Sequence, residues 1–358
     1  MDENGKTDTG VAVIDESLKD EVIPYQYSIT SYGADYPIDG LVKRLEAESL
    51  FIPSFQRSYV WTLNQASRFI ESLLLGLPVP GIFLSKEPET GKLLVIDGQQ
   101  RLRTLLLFYS GVFQDGRAFT LRNVQPTFEG KTYRKLEERD RLRLDDSIIH
   151  ATIVKQDEPS EDQSSIYHIF ERLNTGGTLL QPQEIRACIF HGPFNELLSE
   201  LNKTPEWRDI YGPLNKRLKD QELILRFLAL YFDGSSYERP MKEFLNRFMG
   251  RNRRLQAHDE STVRKAFINN VTYLAAALGK NAFRPERALN AAVYDAVMVG
   301  LADRLSRGMI KDRLAFKAKY EELLKNKEFS KSCRTATSDE ANVRKRIELA
   351  REFFLHLH

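Results

Sequence analysis

The sequence predicts an α+β protein, with a mixed strand-and-helix N-terminal domain followed by an all-helical C-terminal domain. Short apolar runs bounded by turn residues gather before residue 160, among them Gly81-Ile82-Phe83-Leu84 and Leu93-Leu94-Val95-Ile96. After Ser164, apolar residues recur at helical spacing instead. With 358 residues, 42% of them hydrophobic, the chain is long enough to bury two cores. The expected division is 1–35, 36–160 and 161–358.

Residues 1–35 are expected to be a mobile segment, polar and acidic without clear period as far as Ile23. A short helix is expected over 39–48. Thr62 and Gln65 stand at capping-box spacing before the apolar stripe Ala66, Phe69, Ile70, Leu73 and Leu74, which Gly76 and Pro78 end. Strands follow at 81–84 and 93–96, and further strands are expected near 117–121 and 148–154. Ile166, Ile169, Phe170 and Leu173 line one helix face, and Gln181-Pro182-Gln183-Glu184 opens another helix, with Pro at its first position. Helical patterns continue near 218–232, 238–250, 260–279, 286–305, 311–327 and 339–356.

Composition narrows the function. No stretch approaches the roughly 18 apolar residues of a membrane span. The opening Met1-Asp2-Glu3-Asn4 lacks the basic-then-apolar order of a signal peptide, so a cytoplasmic location without a membrane partner is expected. The two cysteines, Cys188 and Cys333, are too few for a disulfide framework or a metal site, and Cys188 reads as a core residue. With 52 basic against 50 acidic residues, global charge gives no push toward nucleic acid. DNA contact would have to come from a local patch. The best one is Arg247, Arg251, Arg253 and Arg254, for which a solvated helix end is the alternative.

The richest stretch is Asp97-Gly98-Gln99-Gln100-Arg101, a polar turn between an apolar strand and a helix marked by Leu102, Leu105, Leu106 and Tyr109. A helix start offers unpaired N–H groups and partial positive charge to an anion. Gly98 permits close backbone approach, and Arg101 supplies a fork of donors suited to phosphate. The alternative is a plain strand–turn–helix connection, with Arg101 in an internal salt bridge.

Three ordered motifs weigh against coincidence. They are Phe55-Gln56-Arg57-Ser58-Tyr59-Val60-Trp61, Ile96-Asp97-Gly98-Gln99-Gln100-Arg101, and Phe170-Glu171-Arg172-Leu173-Asn174-Thr175-Gly176-Gly177 followed by Gln183-Glu184-Ile185-Arg186. Together, over about 39–189, they resemble the GmrSD-type restriction endonuclease N-terminal domain family with its Asp-Gly-Gln-Gln-Arg signature. The resemblance implies a ParB/sulfiredoxin-like fold and a nucleoside triphosphate, with Mg²⁺, as cofactor. It makes Asp97, Gln99, Gln100 and Arg101 the expected catalytic residues, with Asp97 on the metal. Gln56, Arg57, Gly98, Arg101, Arg172 and Asn174 are the expected nucleotide contacts. For Arg57 the alternative is an internal pair; for Tyr59 and Trp61, a place in the core rather than stacking on a base. For Arg172 it is a pair with an acid, while Gly176 and Gly177 merely turn the chain. For Glu184 and Arg186 an ion pair is the simpler reading.

The family's partner activity is a histidine-containing nuclease, fused or on a separate chain. None of the six histidines has the acid-His-x-x-Pro arrangement of that nuclease, and no zinc-ligand spacing exists. Gln125 stands where a P-loop at Gly130-Lys131-Thr132 would need its first glycine. The expected function is therefore a nucleoside triphosphate-binding and hydrolysing subunit of a restriction-type system, working with DNA and a separate nuclease subunit. The alternatives are a DNA- or nucleotide-sensing module without turnover and a helical interaction scaffold.

Overall fold

The computed structural model describes residues 13–14, 28–52, 59–87, 90–158, 164–173 and 180–358. The chain divides into two compact units, 26–179 and 180–358, the latter joined by the N-terminal residues to 25. The first described element, β1 (Val13–Ile14), belongs to the second unit.

The first unit holds β2 (Ser28–Pro37), α1 (Ile38–Glu46), β3 (Leu50–Phe51), α2 (Leu63–Leu75), β4 (Ile82–Lys86), β5 (Leu93–Asp97), α3 (Gln99–Ser110), α4 (Glu138–Asp145), β6 (Ile148–Glu158) and α5 (Ser164–Leu173). Its mixed sheet runs β2-β6-β4-β5-β3. β6 pairs antiparallel with β2 and parallel with β4, and β5 pairs antiparallel with β4 and parallel with β3. β5 lies inside the sheet, which is why Leu93, Leu94, Val95 and Ile96 are all buried and only Asp97 emerges. α2 starts as its sequence foretells: the Thr62 N–H donates to Gln65 Oε1 at 2.9 Å, and the Gln65 N–H donates back to Thr62 Oγ1 at 3.3 Å. It ends at Gly76 in the left-handed region. One apolar cluster joins the helices to the sheet through Ile38, Leu41, Ile70, Leu74, Ile82, Leu84, Val95, Leu102, Leu105 and Phe108.

Three expectations change here. Residues 28–35 belong to β2 rather than to a mobile segment; they are exposed through Gly33, so no apolar alternation announces the strand. The strand expected near 117–121 is a loop closed by a single Val112–Ala118 bridge and by the Gly130 N–H donating to the Leu121 carbonyl. α5 falls inside the first unit, so the division lies near residue 180, whereas the change of periodicity at Ser164 suggested 160.

The second unit contains α6 (Pro182–Ile189), α7 (Pro193–Leu201), α8 (Pro205–Tyr211), α9 (Lys219–Asp233), α10 (Met241–Asn252), α11 (Glu260–Ala277), β7 (Leu289–Asn290), α12 (Ala291–Leu305), α13 (Arg313–Lys325), α14 (Lys327–Ser332) and α15 (Glu340–Phe354). It is helical apart from the two-residue parallel pairing of β1 with β7. The helix expected over 311–327 breaks at Asn326, whose Oδ1 accepts from the Phe329 N–H and caps α14. α12 is buried along its first twelve residues. The one carboxylate of that buried stretch, Asp295, takes Arg226 Nε and Nη2 at 3.1 and 2.6 Å and Arg346 Nη2 at 3.1 Å. No helix among the described residues is long and apolar enough to cross a membrane.

Candidate functional site

The turn between β5 and α3 is the most specialised point of the first unit. β5 delivers Asp97 to the sheet end, and Gly98 turns the chain at φ 99°, a left-handed conformation open to glycine. A Cβ on Gly98 would lie 3.0 Å from Ile82 Cβ and closer still to Ile82 Cγ2, so the side chain of β4 occupies that space. The Leu102 N–H donates to the Gly98 carbonyl and begins the helix ladder, and the N-cap residue, a glycine, has no side chain with which to cap α3. The helix start thus presents backbone N–H groups and positive dipole at the glycine turn.

Arg101 is held against this turn. Its Nη2 donates to the Gly81 carbonyl and to Asp97 Oδ2, both at 2.9 Å. Its Nε is buried without a hydrogen-bond partner among the described residues. The salt bridge with Asp97 is therefore present. A buried donor without a partner is the kind of group that a bound anion or ordered water satisfies. The Asp97 carboxylate is about half exposed, so its pull on Arg101 is weak enough to share.

Gln100 links the second motif to the end of the first, its Oε1 accepting from the Val60 N–H at 3.0 Å. One turn along α3, the Tyr59 hydroxyl and Thr104 Oγ1 lie 2.7 Å apart, and Thr104 donates to the Gln100 carbonyl. Tyr59 is buried edge-on against Phe113, and Trp61 packs on Phe69 with ring centres 5.6 Å apart. Both aromatics serve the core.

Gln56, Arg57 and Asn174 lie outside the described residues. Arg172 is exposed in the last turn of α5. Glu184 and Arg186 are buried, each in an ion pair: Arg186 Nη1 meets Glu222 Oε2 and Arg217 Nε meets Glu184 Oε2, each at 2.8 Å. They form ion pairs inside the helical unit. Among the four arginines near the end of α10, Arg253 Nε donates to the His191 carbonyl at 2.7 Å, and Arg247 lies 3.8 Å from Glu238. Arg251 and Arg254 are exposed. No group of three or more His, Cys, Asp or Glu side chains among the described residues is arranged to hold a metal ion. Sequence reasoning missed the Gly81 carbonyl and Ile82, since neither a backbone acceptor nor a packing partner carries a motif.

Strand, left-handed glycine, uncapped helix and a tethered arginine define a mixed-sheet domain with an anion-receptive turn, ahead of a helical unit. Residues 38–191 match the family model described as GmrSD restriction endonuclease, N-terminal domain. That segment is similar to this family's N-terminal domain, and the match takes in α6 as well as most of the first unit. No curated protein matches the chain.

Proposed function

We propose that the chain is a nucleoside triphosphate-binding subunit of a restriction-type defence system directed at modified or foreign DNA, located in the cytoplasm and acting with a separate nuclease chain. The proposal gives the first unit a ParB/sulfiredoxin-like fold. Phosphates would sit at the N-terminus of α3, in contact with backbone N–H groups and Arg101. The observation that carries it is the glycine turn itself: an uncapped helix start, opened by Gly98 and backed by Ile82, with the buried Arg101 Nε awaiting a partner.

Mg²⁺ suits such a site as a guest of the phosphates and water, with Asp97 as its protein carboxylate. Arg101 would neutralise charge on the phosphates, while Gln99 and Gln100 would orient the phosphates or an attacking water. Gln56, Arg57, Arg172 and Asn174 complete the proposed contacts, and the exposed Arg251 and Arg254 the proposed DNA contact.

A second reading has its own support. Arg101 is engaged with Asp97, and Gln100 Oε1 with Val60, which favours nucleotide sensing without turnover. Binding of fluorescent nucleoside triphosphates and phosphate release, each with and without DNA, separate the two readings. Binding with release supports hydrolysis, and binding without release supports sensing. If Arg101→Ala leaves both intact, the site assignment is wrong.

A further inference from the structure

A cavity of about 440 Å³ opens on another side of α3, walled by Leu50 and Ile52, by Tyr59, and by Leu106 and Leu107. Into this apolar wall α3 contributes Arg103. Two residues along a helix turn the side chain by about 200°, so Arg103 faces away from Arg101 and from the glycine turn. Arg103 is half-buried, and no described residue hydrogen-bonds or ion-pairs with it. Other arginines of this unit behave differently: Arg101 reaches Gly81 and Asp97, and Arg143 reaches the Leu75 carbonyl. Burial holds the Arg103 guanidinium below the usual arginine range.

We propose that this cavity is a second binding site, for a small organic monoanion whose acidic group pairs with Arg103 and whose flat apolar body fills the space between Tyr59 and Leu107. The volume lies in the range of small-molecule sites, as does the makeup of mostly apolar walls with a few polar groups. A half-buried guanidinium without a partner has lost hydration, and a carboxylate would restore it with charge-assisted hydrogen bonds. Glu48, exposed at the rim and in the left-handed region at φ 52°, adds a negative charge that disfavours a multiply charged ligand. Gln114 offers one further polar contact. The site therefore suits a single carboxylate better than a phosphate chain, and it stands whether or not the α3 terminus takes a nucleotide.

The test is calorimetric titration of the full chain with three probes of one body and different charge: 1-naphthoate, 1-naphthyl phosphate and the neutral 1-naphthalenemethanol. The expected result is 1-naphthoate binding below about 1 mM, with the alcohol on the order of tenfold weaker and the dianionic phosphate weaker than the carboxylate. Arg103→Gln lowers 1-naphthoate affinity to that of the alcohol, Arg103→Lys restores part of it, and Leu107→Trp, which fills the cavity, abolishes it. Equal binding of acid and alcohol to the unaltered chain overturns the proposal, as does full affinity in a folded Arg103→Gln. Tighter binding of the phosphate overturns the monoanion assignment. No binding of any probe at about 5 mM overturns the site itself.

Discussion

Replacing Gly98 by alanine should loosen the first unit at the point where its proposed ligand would sit. Two costs add. A left-handed conformation at φ 99° is unfavourable for a residue with a Cβ by about 1 kcal/mol. The new Cβ would also press into Ile82, 3.0 Å from its Cβ, within a buried strand, and such overpacking costs about 1–3 kcal/mol. The sum, about 2–4 kcal/mol, corresponds to hydrogen exchange roughly 30- to 1000-fold faster at the protected amides of β4 and β5. Mass-resolved exchange on those peptides measures it without interference from the helical unit. A double-mutant cycle with Ile82→Ala separates the two terms, because removing Cγ2 relieves the clash but not the backbone strain. A coupling of about 1–3 kcal/mol is expected. If Gly98→Ala exchanges as the unaltered chain does, or if the two substitutions add without coupling, the packing argument fails.

Three further outcomes follow from the same reasoning. Asp295→Asn leaves the buried guanidinium groups of Arg226 and Arg346 without their shared carboxylate, so the helical unit should lose about 3–5 kcal/mol, read as a lower denaturation midpoint. Burial, reinforced by the hydrogen bond to Asp145, pushes Tyr133 up to about 12 from an ordinary value of 10.0. Because the folded value is the higher one, the stability linked to Tyr133 is whole below pH 10 and is lost as pH rises through about 12. Absorbance at 295 nm should show late-titrating phenols, Tyr133 and Tyr320 among them, and Tyr133→Phe should lower their number by one. Asp97→Asn removes a negative charge beside the α3 terminus and releases Arg101. At about 5 Å in a water-like dielectric this is worth about 1 kcal/mol, so tripolyphosphate without metal should bind roughly fivefold tighter. The Mg²⁺ dependence of nucleotide affinity should fall at the same time, and equal weakening of both would sink the role given to Asp97.

The ion pair between Arg101 and Asp97 was the plain alternative to a phosphate contact, yet the two are compatible. An exposed carboxylate holds a guanidinium by about 0–1 kcal/mol, far less than a triphosphate at a helix start offers. The stronger tether is the Gly81 carbonyl, which keeps Arg101 at the turn whether or not Asp97 stays paired. The arrangement therefore positions the arginine before a ligand arrives. The buried Nε marks the side of the guanidinium left unserved by the protein.

What the sequence conveyed depended on whether the information was local. The capping pair Thr62 and Gln65, the buried run of β5 and the glycine ends of helices are local, and each element appears where its residues indicated. β2 was invisible because an exposed edge strand needs no apolar alternation; its partner β6, over a hundred residues away, supplies the hydrogen bonds. The site divides in the same way. Gly98 and Arg101 announce themselves by residue type, whereas Gly81, which holds Arg101, and Ile82, which makes glycine necessary, depend on the neighbouring strand. The third motif shows the converse. Its charged pair Glu184 and Arg186 reads as surface chemistry by residue type, yet Arg217 and Glu222 draw both side chains inside the helical unit. Residue type alone shows which groups have chemistry to offer; partners distant in sequence decide whether that chemistry remains available to a ligand.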